Sequence, residues 1–285
     1  VQTTVNGLRA KVLRRTFVDV WSDWKKTVKR PQDFEQFKKL LKGNEIVRVW
    51  RRAKNVLMDL SGGYTLLVHQ KMTGHLLVGH WKMQRNRWIS TTRGPMDDRM
   101  NGYLHLMFFL DDGTMIALSD LRKFAKVELW KTEELLNSRD FNALGPEPLE
   151  KNFTFENFAG RLEWRKGRIK QAIMDPLVIA GVGNIYASEA LWQAKIHPER
   201  LVTSLNIREL EDLHAAIKKV LAAGIKFGGE SFSDYRNVNG EPGKFSGQRA
   251  VYRREGLPCN RCHTPIKRIM FGGRSAFYCP KCQIL

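Results

Sequence analysis

The chain has 285 residues, 42% of them apolar, with 48 basic against 29 acidic side chains and a net charge of +19. This apolar share excludes a largely disordered chain, and the length suits one large or two modest domains with a small appendage. The longest apolar stretches, around 104–110 and 177–182, fall far short of the ~20 residues a membrane-spanning helix needs, and no secretory segment is expected at the start.

Positive charge on this scale repels itself unless an acidic partner uses it. Nucleic acid is the commonest such partner, the more so with 8 Trp and 15 Phe in the chain. An anionic membrane surface is the competing reading.

Val1, Val5, Leu8 and Val12 recur at helical spacing, so residues 1–14 are expected to form an amphipathic helix. From residue 46 to 130 the pattern changes to short apolar runs at 46–50, 56–60, 66–69, 75–78, 104–110, 115–118 and 127–130. Turn signals such as Ser61-Gly62-Gly63 and Asp111-Asp112-Gly113 separate them, which predicts a β-sandwich or barrel. The polar stretch 82–102 is expected to be a long exposed loop. The helix-breaking segment Leu144-Gly145-Pro146-Glu147-Pro148-Leu149 marks a domain boundary. Helical patterns follow at 155–160, 162–174, 185–194 and 207–224. Residues 228–245 are Gly-rich and polar and have the character of a functional lid. From Lys244 to Leu285, nine Lys/Arg face one Glu, which puts +8 of the charge in 42 residues.

All four cysteines lie in this tail, as Cys259-x2-Cys262 and Cys279-x2-Cys282 with 16 residues between the pairs. Two such knuckles present four thiolates to one ion, the pattern of a closed structural zinc site. Two disulfides are the alternative, but nothing here implies an oxidising compartment. Gly272-Gly273 between the knuckles is a favoured hairpin turn, so the tail reads as a zinc-stapled β-hairpin with Arg274 at its tip. His69, His75 and His80 do not cluster and read as packing or phosphate-contact residues.

Gly181-Val182-Gly183-Asn184 has some features of a dinucleotide turn. It lacks the third glycine and follows a helix rather than a strand, so that reading is rejected. A helix–turn–helix with Asn184 capping the second helix fits better, and a helix N-terminus with free N–H groups suits phosphate. Arg161, Arg165, Lys166, Arg168 and Lys170 crowd the helix just before it.

In combination these motifs carry a resemblance. A β-rich domain is followed by GVGNIYASEAL, then by a 228–245 segment of the form GGxxFxDYxNxxGxPGxF, then by a four-cysteine finger ending GGRSAFYCPKCQ. The whole resembles the formamidopyrimidine-DNA glycosylase family, which includes endonuclease VIII. The resemblance implies an α+β multidomain fold: a β-sandwich with a leading helix (1–143), a helix–two-turn–helix domain with a capping loop (150–240) and a zinc-finger hairpin (245–285). It implies a bifunctional glycosylase and abasic-site lyase of base excision repair. Such an enzyme flips an oxidised purine out of duplex DNA, removes it and nicks by β,δ-elimination.

By the same resemblance, Lys54 contacts the lesion phosphate and assists elimination, and Arg274 grips the flanking phosphates and is linked to elimination. Asn184 holds backbone phosphate. Met72 fills the gap left by the flipped base, while Arg122 faces the orphaned base and Phe124 wedges the stack. His69, Arg165 and Lys170 join the DNA-contacting set, and Glu189 is either structural or catalytic. Cys259, Cys262, Cys279 and Cys282 hold one zinc ion. An apolar wedge beside an arginine suits kinked duplex DNA.

The family's Pro-Glu-Leu-Pro-Glu start, with its amine nucleophile and acid, would immediately precede Val1 and is not among these residues. The alternative expectation is therefore a non-catalytic homologue that binds DNA damage. Lys71 stands where the family has glycine, and Trp88 with its loop matches no family motif. The expected partner is double-stranded DNA bearing oxidised bases or abasic sites, with no membrane role. The expected protein is a monomer of the cytoplasm, nucleoid-associated if bacterial.

Overall fold

The computed structural model describes residues 1–231 and 234–285. Phe232, part of the 228–245 motif, lies outside the described residues together with Ser233. By contacts the chain forms two units, Val1–Asn142 with Phe227–Lys244, and Ala143–Lys226 with Phe245–Leu285. Sequence order groups 228–240 with the helical stretch, whereas its contacts belong to the first unit.

The first unit opens with α1 (Gln2–Val12), β1 (Phe17–Ser22), β2 (Val28–Arg30) and α2 (Phe34–Leu41). There follow β3 (Ile46–Arg52), β4 (Asn55–Leu60), β5 (Tyr64–His69), β6 (His75–Gly79), β7 (Trp81–Gln84), β8 (Arg87–Ser90), β9 (Leu104–Leu110), β10 (Met115–Ser119) and β11 (Lys126–Lys131). Two short helices, α3 (Thr132–Leu136) and α4 (Arg139–Asn142), close this run. A four-stranded sheet in the order β1-β9-β10-β6 faces a five-stranded sheet in the order β2-β11-β5-β4-β3.

The core between them draws alternate residues from each strand, such as Leu66 and Val68, Leu76 and Val78, and Leu106 and Phe108. Val5, Leu8 and Val12 of α1 enter the same core. The intervening residues are also buried. Leu77, Met107 and Ala117 sit under Trp81 and Trp88 on one outer face, and Leu57 and Leu67 sit under Leu135 and Trp130 on the other. Covering both faces explains why these strands read as continuous apolar runs rather than alternating ones.

The stretch expected to be a loop at 82–102 instead contains the β7–β8 hairpin and two 3-10 turns. Its outward face is polar, which hid the strand pattern, while Trp88 packs edge-on against Trp21 at 5.5 Å. The sequence pattern also gave no sign of β1, β2 or α2. α2 is capped by Asp33, whose side chain accepts the amides of Glu35 and Gln36.

The second unit contains α5 (Phe155–Leu162), α6 (Ile169–Met174), α7 (Asn184–Gln193), α8 (Ile207–Lys226) and the hairpin β12 (Lys267–Phe271) and β13 (Arg274–Tyr278). Of the helix expected over 162–174, only Ile169–Met174 forms as α6; Leu162 ends α5, and residues 163–168 are not helical. Ile169, Ile173, Leu191, Leu213 and Ile217 share one apolar core. The 144–149 segment is not a free linker. The Gly145 amide donates to Pro176 O, the Ala180 amide donates to Pro146 O, and residues 145–148 are buried.

Candidate nucleic-acid interface and metal centre

Two loops of the first unit meet, although 50 residues separate them in sequence. The β5–β6 loop carries Met72, 69% exposed, and the β10–β11 loop carries Phe124, 53% exposed. The Arg122 guanidinium stacks over the Phe124 ring at 4.5 Å and reaches Met72 Sδ at 3.4 Å. A buried carboxylate builds this cluster from below. Asp120 accepts from the Thr73 hydroxyl, from the Arg122 amide at 3.3 Å and from the Ala125 amide at 2.7 Å. A charged acceptor holding N–H and O–H donors from both loops fixes them firmly. Lys71 has φ of +57, the left-handed region where glycine carries no steric cost.

Lys54 lies in the turn between β3 and β4, and Arg51 closes that turn by donating to Ala53 O at 2.9 Å. Arg51 also donates to the Gln2 side chain at 2.9 Å, which ties the start of α1 to this turn. His69 pairs across the sheet with Asn55 on one side and Lys126 on the other. Burial, followed by the ammonium groups of Lys71, Lys54 and Lys126, pushes its imidazole down to about 4. His69 is therefore neutral near pH 7 within a cationic surround. His75 is a packing residue: it is fully buried, with Nε2 3.0 Å from Asn101 Oδ1. Asn101 also donates to Gly240 O at 3.1 Å, and Arg236 forks onto Asp98, so the 227–244 segment is fastened to the sandwich.

In the second unit, Asn184 and Arg274 line one groove of about 500 Å³ together with Tyr252, Arg253 and Arg268. Asn184 is the first residue of α7, and the N-cap is Gly183, which corrects the expectation that Asn184 caps the helix. The Asn184 Oδ1 is buried without a hydrogen-bond partner among the described residues. Gly272 and Gly273 have φ of +55 and +69, the two positive values a type I′ hairpin turn demands, and the turn pairs Phe271 with Arg274.

Arg165 pairs with Asp175 at 2.9 Å and remains partly exposed. Lys170 differs from the surface contact expected of it. It is 2% exposed and donates to Ser275 O at 2.8 Å, so it supports the hairpin from inside. Burial, then the neighbouring Arg274, pushes its ammonium down to about 7. It still lines a small pocket of about 200 Å³ shared with Arg274.

The four cysteine sulfurs lie within 4.8 Å of one another, the only such cluster of potential ligands among the described residues. Cys262 Sγ is 3.4 Å from both Cys279 and Cys282, and Cys259 is 4.0 Å from Cys282. Thiolates bound tetrahedrally to one zinc would stand about 3.8 Å apart. Burial and the adjacent thiols push Cys282 up to about 12, while hydrogen bonds from Thr264 hold Cys262 down to about 6. Four thiols this close cannot all ionise without a cation between them, so the donor set fits a zinc ion. With four sulfur ligands no position is left for substrate.

Protein contacts also hold the finger. Arg261 stacks on Trp192 at 3.9 Å and donates to the carbonyls of Trp192 and Gln193 at the end of α7. Gln283 donates to Ile196 O at 2.8 Å.

Two residues matter more here than their sequence signals suggested. Asp120 gave no signal beyond its place before Leu121-Arg122. Glu189 was ambiguous, and the structure makes it a clamp. It is 4% exposed and accepts the backbone amides of Ala250, Val251 and Tyr252 at 2.7, 3.1 and 2.8 Å.

Comparison with known proteins agrees with this arrangement. Residues 1–127 match the formamidopyrimidine-DNA glycosylase N-terminal domain, 144–236 the H2TH domain of the same enzymes, and 256–284 the zinc finger found in FPG and IleRS. A formamidopyrimidine-DNA glycosylase of Desulforamulus reducens is 38% identical over 99% of this chain and 91% of its own length. One from Chloroflexus aggregans is 39% identical over 100% and 97%. A mutant FPG of Lactococcus lactis, solved with DNA containing Fapy-dG, superposes with a TM-score of 0.87 at 29% identity, covering 100% of this chain and 98% of that one. MutM (FPG) of Thermus thermophilus gives 0.82 at 33% identity, covering 99% and 97%.

Proposed function

The chain belongs to the formamidopyrimidine-DNA glycosylase family, and we propose that it excises oxidised purines from duplex DNA and nicks the resulting abasic site by β,δ-elimination. The observation that carries this reading is the exposed Met72–Arg122–Phe124 cluster on its buried Asp120 base. Large apolar side chains exposed to water lose hydrophobic stabilisation. Their place is explained by insertion into a base stack, where unstacking costs a few kcal/mol and is offset by new contacts. Met72 would fill the space of the flipped base and Phe124 would wedge the step. The Arg122 guanidinium would offer two parallel donors to the orphaned base.

Lys54 would meet the lesion phosphate. Asn184 and Arg274, sharing one groove, would hold adjacent phosphates, and Arg165 would add a further backbone contact. The glycosidic bond is broken by attack of an amine nitrogen on C1′. The family resemblance assigns that amine to the family's N-terminal proline, with a glutamate beside it. A neutral amine is required for that attack. Cys259, Cys262, Cys279 and Cys282 would hold a zinc ion that stabilises the hairpin presenting Arg274, and four sulfur ligands would leave no position for substrate. This activity belongs with genomic DNA, in the cytoplasm or nucleoid of a bacterial cell, and suits a monomer.

The test is borohydride trapping of the protein with its native N-terminus on a duplex containing 8-oxoguanine opposite cytosine. A covalent protein–DNA adduct is expected. Its absence, with DNA binding intact, refutes the enzyme reading.

A further inference from the structure

Asp120 anchors the 120–125 loop through its carboxylate and through its carbonyl, which accepts the Lys123 amide at 3.1 Å, but it leaves the Lys123 side chain to another partner. Lys123, between Arg122 and Phe124, has φ of +56, a conformation uncommon for a residue with a side chain. The turn bond to Asp120 sets this backbone, and the side chain it projects is met from outside the loop. The Lys123 ammonium lies over the ring of Trp24, 4.7 Å from the centroid. Trp24 belongs to the segment after β1 and is itself held on both sides. Its amide donates to Ser22 Oγ at 3.0 Å, Ser22 Oγ donates to His105 O at 2.6 Å, and Trp24 O accepts the Thr27 amide at 3.0 Å. Lys26 approaches the same ring at 5.4 Å. The Trp24 backbone is thus tied to the sheet, and Lys123 links its ring to the exposed cluster.

We propose that Trp24 is a positioning residue for this enzyme, holding the apex of the 120–125 loop through Lys123 and so setting how readily Arg122 and Phe124 enter the base stack and read the orphaned base. The inference rests on the glycosylase reading above and deepens it. Without the Trp24 ring the loop keeps its Asp120 anchor but samples more apex conformations, and fewer of them present both side chains to the duplex. A cation–π contact at a partly exposed site changes such populations about two- to fivefold.

The experiment uses the full protein and an 8-oxoguanine duplex with 2-aminopurine beside the base opposite the lesion. Wedge entry unstacks the probe and raises its fluorescence. Excision is measured in parallel with cytosine or adenine opposite the lesion. Trp24→Leu is expected to lower the fluorescence gain and the cytosine-to-adenine ratio of kcat/KM about two- to fivefold, with its thermal midpoint within a few degrees of wild type. Trp24→Phe, which keeps an aromatic face, is expected to recover most of both, and Lys123→Met to reproduce the loss. Combining Trp24→Leu with Lys123→Met should give no further loss.

A folded Trp24→Leu protein with the wild-type ratio and probe signal overturns the proposal. So does a Lys123→Met protein that behaves as wild type while Trp24→Leu does not. If the wild-type protein gives neither probe signal nor excision on this duplex, the glycosylase reading itself fails, and this inference with it.

Discussion

Replacing Glu189 with glutamine separates a supporting role from a chemical one. The carboxylate accepts three backbone amides, of Ala250 on one oxygen and of Val251 and Tyr252 on the other. Glutamine keeps one acceptor oxygen, enough for the Val251 and Tyr252 pair. Its NH2 group then faces the buried Ala250 amide, donor against donor. The loss is one charge-assisted bond plus the stranding of an N–H, each worth roughly 1–3 kcal/mol, so a destabilisation of about 3 kcal/mol is expected. The clamp holds the strap that continues into the finger core, where Tyr252 packs on Phe277 at 5.1 Å. It also holds Tyr252 and Arg253 in the groove beside Asn184 and Arg274. Urea denaturation followed by tryptophan fluorescence would report the stability loss, since Trp192 lies against Cys259. DNA affinity should fall in parallel, while the single-turnover excision rate at saturating protein keeps the shape of its pH profile. A variant of wild-type stability, or one whose pH profile loses a limb, would refute the clamp argument and return Glu189 to the acid–base candidates.

Arg274→Ala should weaken binding of damaged and undamaged duplex alike and lower the slope of log K against log salt by about one unit, as expected for one lost phosphate contact. An unchanged slope contradicts the assignment. Cys279→Ser, or treatment with a strong zinc chelator, should release the metal and unfold the finger locally, with a shift in Trp192 emission and a loss of DNA affinity. Retained affinity after zinc loss would remove the finger from the interface. Lys170 has a folded-state value of about 7, against ~10.4 for an unfolded lysine. The unfolded chain therefore binds more protons between about pH 7 and 10, so this group makes stability rise with pH across that window. Urea titrations at several pH values should show that component, and Lys170→Met should lack it.

What was legible in the sequence depends on how far the signal reaches along the chain. The four-cysteine spacing, Gly272-Gly273 and the periodicity of α1, α7 and α8 are local patterns. They report backbone conformation and a ligand set directly, so the finger and most helices could be read before any coordinates. The net charge of +19 likewise pointed to a polyanionic partner from composition alone. Strands buried on both faces lose their alternation, and the β7–β8 hairpin exposes polar residues, so the second layer under Trp81 and Trp88 was illegible.

Tertiary structure decided which distant residues share a place. Nothing in the local sequence brings Met72 to Arg122, buries the ammonium of Lys170 under the hairpin, or aims Glu189 at three amides 61 to 63 positions away. Such contacts depend on sheet register and loop closure over the whole chain. Residue types and their spacing along the chain thus determined what chemistry the protein carries, and the packing of its sheets and helices decided which side chains stand exposed at the candidate interface and which hold them there.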